Sequence, residues 1–132
     1  MKPAITLSLL LVTLCFGCSH KPTPQQLEFQ RELVKTAAFL EDWPILQHTA
    51  KPESMLERRQ SLKTAFELCD LSEHKHRSII IEDMDIVLKM MDLLYKQAKL
   101  HFSNQFESEI PKNCKTMASL LRFTAGCVCP EP

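Results

Sequence analysis

Residues 77–105 read RSIIIEDMDIVLKMMDLLYKQAKLHFSNQ, and four apolar rows run through them at intervals of seven. Ile80, Val87 and Leu94 form one row, and Ile81, Leu88, Tyr95 and Phe102 a second. Met84, Met91 and Ala98 form a third, and Ile86, Leu93 and Leu100 a fourth. A repeat of this kind is the mark of an α-helix, here expected from roughly Arg77 to Gln105. The rows together cover more than half the helix circumference, far wider than the stripe of about 100° on an ordinary surface helix. This helix must therefore be covered on more than one side. Its remaining arc carries Asp85 four residues before Lys89 and Asp92 four before Lys96, a solvated pattern that also argues against a membrane span. Met84, Met90 and Met91 supply a flexible apolar surface whose ordinary role is core packing. With Leu94 they are also the candidate residues for an adaptable partner groove.

Working outward, Asp70 to Arg77 is polar and reads as a connection, with Ser72 or Ser78 as helix cap. A second helix is expected before it, from about Pro52 to Cys69. Met55, Leu62, Phe66 and Cys69 share its inner face. The first helix has a defined start: Thr23 can cap it, Pro24 suits the first helical position, and Gln26 completes a capping-box pattern. Phe29, Leu33, Ala37 and Leu40 give it an apolar side, and Trp43-Pro44 is expected to stop it near Glu41. Beyond the long helix, Glu107 to Lys112 with Pro111 reads as a break. A short fourth helix follows, capped by Asn113, buried through Met117, Leu120 and Leu121, and ended at Gly126. Only two glycines occur, and no stretch sustains a period of two. The reading is an all-α, up-and-down four-helix bundle forming one domain over residues 27–132.

The N-terminus reads as an address. Lys2 is followed by an apolar run from Ala4 to Phe16 and then by Gly17, Cys18 and Ser19. That run is too short to cross about 30 Å of hydrocarbon at about 1.5 Å per residue, so residues 1–19 are expected to be a cleaved signal peptide and 20–26 an extended tether. Two endings place the mature chain differently. Cleavage after Ser19 frees a secreted protein beginning at His20. Alternatively, Gly17-Cys18-Ser19 resembles the bacterial lipoprotein signal, which implies lipid on Cys18 and attachment to a bacterial outer membrane facing the periplasm.

Sixteen Lys and Arg balance sixteen Asp and Glu, which leaves no electrostatic footprint for nucleic acid. Four cysteines lie beyond the leader, Cys69, Cys114, Cys127 and Cys129, and an even number in a short exported chain suggests disulfides. Cys114 and Cys127 on one helix would stand about 20 Å apart, against a bridging limit of about 7 Å. Helices two and four run parallel in an up-and-down bundle, so the expected bridge joins Cys69 to Cys127 or Cys129, with Cys114 lacking an evident partner. A redox role for Cys127-Val128-Cys129 finds no basic residue within four positions to favour a thiolate. Cys69, His74 and His76 match no regular zinc spacing, and neither metal nor cofactor is expected. No nucleophile elbow, metalloprotease helix or phosphate loop occurs.

What remains is a non-enzymatic interaction protein that offers a helix face to a protein partner. In size, helix order and cysteine use the chain resembles the short secreted four-helix cytokines, which implies a receptor as partner. The competing reading is a lipid-anchored envelope protein, a small adaptor or pilot for an outer-membrane assembly, whose long helix receives a client helix. Contact with a membrane is expected only if Cys18 is lipidated.

Overall fold

The computed structural model describes residues 21–100 and 109–130. The leader, Cys18 and the expected continuation of the long helix to Gln105 lie outside the described residues. Four helices account for nearly all the rest: α1 (Pro24–Leu46), α2 (Glu53–Leu68), α3 (Arg77–Leu100) and α4 (Ile110–Val128). Among the described residues there is no strand.

The capping box at Thr23 forms as expected. Its hydroxyl accepts the Gln26 N–H at 3.1 Å, and the Gln26 side chain accepts the Thr23 N–H at 3.0 Å. At its other end α1 departs from expectation, passing through Trp43-Pro44 to Leu46 rather than stopping near Glu41. Pro44 removes one backbone donor in the last turn, while Trp43 beside it is wholly buried and tilted against Phe39 at 5.4 Å between ring centroids. Burying an indole outweighs one missing hydrogen bond. The Gln47 N–H then closes the turn on the Trp43 carbonyl at 2.9 Å.

Helix α2 lies within one residue of its expected bounds, and Cys69 leaves it in extended backbone. In the connection, the Asp70 carboxylate accepts the Ser72 N–H at 3.0 Å and the Ser72 hydroxyl at 2.7 Å, which holds Asp70 below its ordinary range. Helix α4 is longer than expected at both ends. Pro111 sits in its first turn, where a missing N–H costs nothing, and Asn113 is an interior residue whose N–H reaches the Glu109 carbonyl at 2.9 Å. Gly126 does not end it. Val128 and Cys129 just beyond are buried, and their packing carries the helix through the glycine.

Each helix packs on its neighbours in chain order and α4 closes onto α1, while the diagonal pairs face each other across the shared core. Cross-helix pairs fix the directions. Phe29 meets Phe66 at 5.5 Å, the Arg59 Nε donates to the Leu88 carbonyl at 2.8 Å, and Thr124 Oγ1 stands 2.9 Å from Asp83 Oδ2. Gln30 Nε2 donates to the Ala125 carbonyl at 3.2 Å. All four neighbouring pairs are therefore antiparallel, the up-and-down order read from the sequence. Phe29, Leu33, Leu40 and Trp43 meet Met55, Leu62, Met84, Met91 and Leu121 in one core. Between α1 and α2, Glu32 and Arg58 form a largely buried ion pair.

Candidate functional site

Two regions carry the residue types from which a function could be built. The first is the end of the bundle where α2 and α4 finish. Cys69 is buried there, and His74, five residues on, lies with Nε2 2.9 Å from the Val128 carbonyl. A carbonyl only accepts, so Nε2 carries the proton. The other ring nitrogen, Nδ1, accepts the His76 N–H at 3.0 Å. The ring thus donates through Nε2 and accepts through Nδ1, both nitrogens occupied by backbone, and acts as a clasp between the α2–α3 connection and α4. Gln30 of α1 adds a second clasp, donating to the carbonyls of Ala125 and Cys129 at 3.2 and 3.4 Å and so satisfying orphan acceptors at the α4 C-terminus.

The cysteines divide by position. Cys69 and Cys129 share this pole, where burial, then negative charge on Cys129, then Asp70 push the Cys69 thiol up to about 11. Cys127 is half-buried and is raised by burial and by Asp83 of α3. Cys129 is raised by burial. Cys114 sits at the opposite end of α4, wholly buried, and burial alone pushes it up to about 11. All four are unbonded thiols in this structure, so the expected bridge is not formed. Raised thiols are poor nucleophiles near neutral pH, because the reactive species is the thiolate. Among the described residues no group of three or more His, Cys, Asp or Glu side chains could hold a metal ion, and His74 is committed to backbone.

The second region is the outer side of α3. Met84, Met91 and Leu94, three of the four candidate partner-binding residues, are 1%, 0% and 3% exposed and belong to the core. Met90 is partly buried and packs against its edge. That corrects the expected surface: side chains closed off by α2 and α4 offer nothing for a partner to touch. The apolar residues left at the surface are Ile79, Ile86, Leu93 and Leu100, at 42%, 50%, 51% and 60% exposure, with Ile81 further round. They recur every seven residues and so form a single line along the helix. Asp83, on the flank of this line, meets Thr124 of α4, whose hydroxyl also lies 2.8 Å from the Leu120 carbonyl. The other flank is solvated and carries the exposed pairs Lys89–Asp85 at 2.8 Å and Lys96–Asp92 at 2.9 Å. Sequence reasoning had one signal for this line, since Ile86 and Leu93 directly follow Asp85 and Asp92, the residues that mark the solvated arc. It had none for Gln30 or His74, whose partners are backbone groups far along the chain.

No helix among the described residues is long and apolar enough to cross a membrane. No protein-family model, no curated protein and no solved structure matches this chain.

Proposed function

We propose that this chain is an exported, non-enzymatic helical-bundle protein that binds a protein partner through the outer side of α3. The observation that carries this reading is the line Ile79, Ile86, Leu93 and Leu100, four large apolar side chains in register on one surface. Each is already about half-buried, so leaving the remainder in water forgoes roughly 0.7–1.5 kcal/mol for each that a partner would fully bury. Single exposed apolar residues are common on proteins, but a continuous line of them marks a contact surface. The raised thiols and the backbone-bound His74 support a structural rather than a chemical role for the cysteine pole.

In this reading residues 1–19 are a signal peptide and the mature chain is secreted, acting as a cytokine-like factor on a receptor. Export also gives the cysteines an oxidising compartment. There Cys69 and Cys129 close a disulfide, giving up two protons and two electrons to a disulfide-bearing oxidant, while Cys114 stays a core thiol. Gly17-Cys18-Ser19 favours a second reading, in which Cys18 is lipidated, the tether is shorter than the expected 20–26 because α1 begins at Pro24, and the α3 line receives an envelope component of a bacterial outer-membrane assembly.

A photo-crosslinking residue at Ile86, compared with one at the exposed Glu57 of α2, tests the binding surface in the native host. Protein adducts formed at position 86 and lost with Leu93→Asp are expected, and equal labelling at both positions would refute the surface. Intact mass of the exported chain before and after reduction separates the two endings. A free His20 terminus with a two-proton mass deficit fits the secreted, bridged form, and an acyl mass on Cys18 fits the anchored one.

A further inference from the structure

We infer that the partner seated on α3 is a second copy of this chain, its α3 packed antiparallel to the first about a two-fold axis beside Met90. This rests on the reading of α3 as a partner surface and adds the identity of the occupant. The first observation is register. Ile86 and Leu93 are placed symmetrically about a point between Lys89 and Met90, and Ile79 and Leu100 are symmetric about the same point. An antiparallel copy therefore sets Ile86 against Leu93 and Ile79 against Leu100 throughout the line, with Met90 of each copy, partly buried at the edge of the line, beside Lys89 of the other. A seven-residue apolar interval is also the interval at which two helices stay in contact, and the line spans about 32 Å at about 1.5 Å per residue.

Charge supplies the second observation. Along α3 the acids Glu82, Asp83 and Asp85 precede the line's midpoint together with the bases Arg77 and Lys89, and Lys96 and Lys99 follow it with the single acid Asp92, so the first half carries the net negative charge and the second the net positive. Counting about 100° per residue, Glu82 and Lys96 both fall on the solvated flank. An antiparallel copy brings Glu82 of one chain to Lys96 of the other twice over. A parallel copy would instead turn this flank toward the opposite flank of its partner, the one that carries Asp83, and would leave Glu82 without Lys96. Lys96 is held at present by Asp92 in an exposed pair, 57% and 38% accessible, and such pairs exchange at little cost. Near the axis, Lys89 keeps Asp85 as its own counter-charge at 2.8 Å. A two-fold contact of this kind is self-complementary, as an isologous dimer requires.

Sedimentation equilibrium on the chain purified after export, at micromolar concentration, reads the state directly. A mass of two copies is expected, reduced to one by Leu93→Asp with helicity unchanged. Glu82→Lys and Lys96→Glu should each weaken the dimer by at least about tenfold, and the double reversal should restore it to within a few-fold. A monomer at every concentration, a dimer indifferent to Leu93→Asp, or single reversals that the double does not rescue would each overturn the inference. The crosslink at position 86 keeps this separate from the broader reading. Adducts to a different protein alongside a monomeric chain sink the second copy and leave the surface standing, whereas a monomer without adducts sinks both.

Discussion

Two lines of side chains run along α3 one residue apart, alike in spacing and nearly alike in composition. Ile80, Val87 and Leu94 are buried, while Ile79, Ile86 and Leu93 stand about half-exposed. A rotation of about 100° about the helix axis separates them. Hydrophobicity does not tell them apart, and neither does helix propensity. What differs is the neighbour: α2 and α4 close over one line, and among the described residues no helix closes over the other. An apolar repeat therefore specifies a helix with a capacity for burial, and the number of partners decides how much of that capacity the monomer uses.

The comparison breaks first at Val87. Val87→Asp puts an unpaired carboxylate at a fully buried position and should cost at least about 3 kcal/mol, seen as loss of the cooperative thermal transition by circular dichroism. If Ile86→Asp, one residue away, were equally damaging, the distinction between the lines would be wrong. A smaller effect comes from the buried thiols that share the covered side. In reduced protein, Cys69 and Cys114 keep their protons up to about 11 while the unfolded chain loses them from about 9. The unfolded state then binds fewer protons, so stability is intact below about 9 and falls as pH rises towards about 11, by at most about 1.4 kcal/mol per pH unit per thiol. Urea midpoints on either side of that window measure the slope, and Cys114→Ala should lessen it by one thiol's share. Gly126→Ala tests helix propensity where packing is silent. The glycine is exposed inside α4, and an added methyl meets nothing within 4 Å, so a gain of about 0.5–1 kcal/mol in unfolding free energy is expected. Smallest is Leu93→Ser, which should alter monomer stability by no more than about 0.5 kcal/mol while abolishing association.

The four helices, their order and the placing of Cys69 near the end of α4 were legible because they follow from periodicity and caps. Local stop signals were less dependable. Pro44 and Gly126 both read as helix ends, yet Trp43 beside one and Val128 beyond the other are buried by distant helices, and that burial extends the helix past the local signal. Pro111 read as a break for the opposite reason, since a proline disfavoured inside a helix suits its first turn. The exposed apolar arc of α3 was misplaced. Met84, Met91 and Leu94 have the softness of a binding groove, but which arc of a broadly apolar helix faces solvent depends on the placing of α2 and α4. The paired charges at Asp85–Lys89 and Asp92–Lys96 were the local clue to that arc.

The hydrogen bonds from Gln30 to the end of α4 also bear on the order of events in folding. They join residues 95 and 99 positions apart, and α4 is the helix with which α1 makes its broadest contact. A nascent chain makes α1 first and α4 after all the others, so α1 spends most of synthesis without its main companion. Closing so long a loop adds a slowly growing entropic cost, and non-local contacts of this kind slow the approach to the native state. The ring of helices therefore closes late, and α1 keeps its widest apolar side uncovered until the fourth helix has emerged.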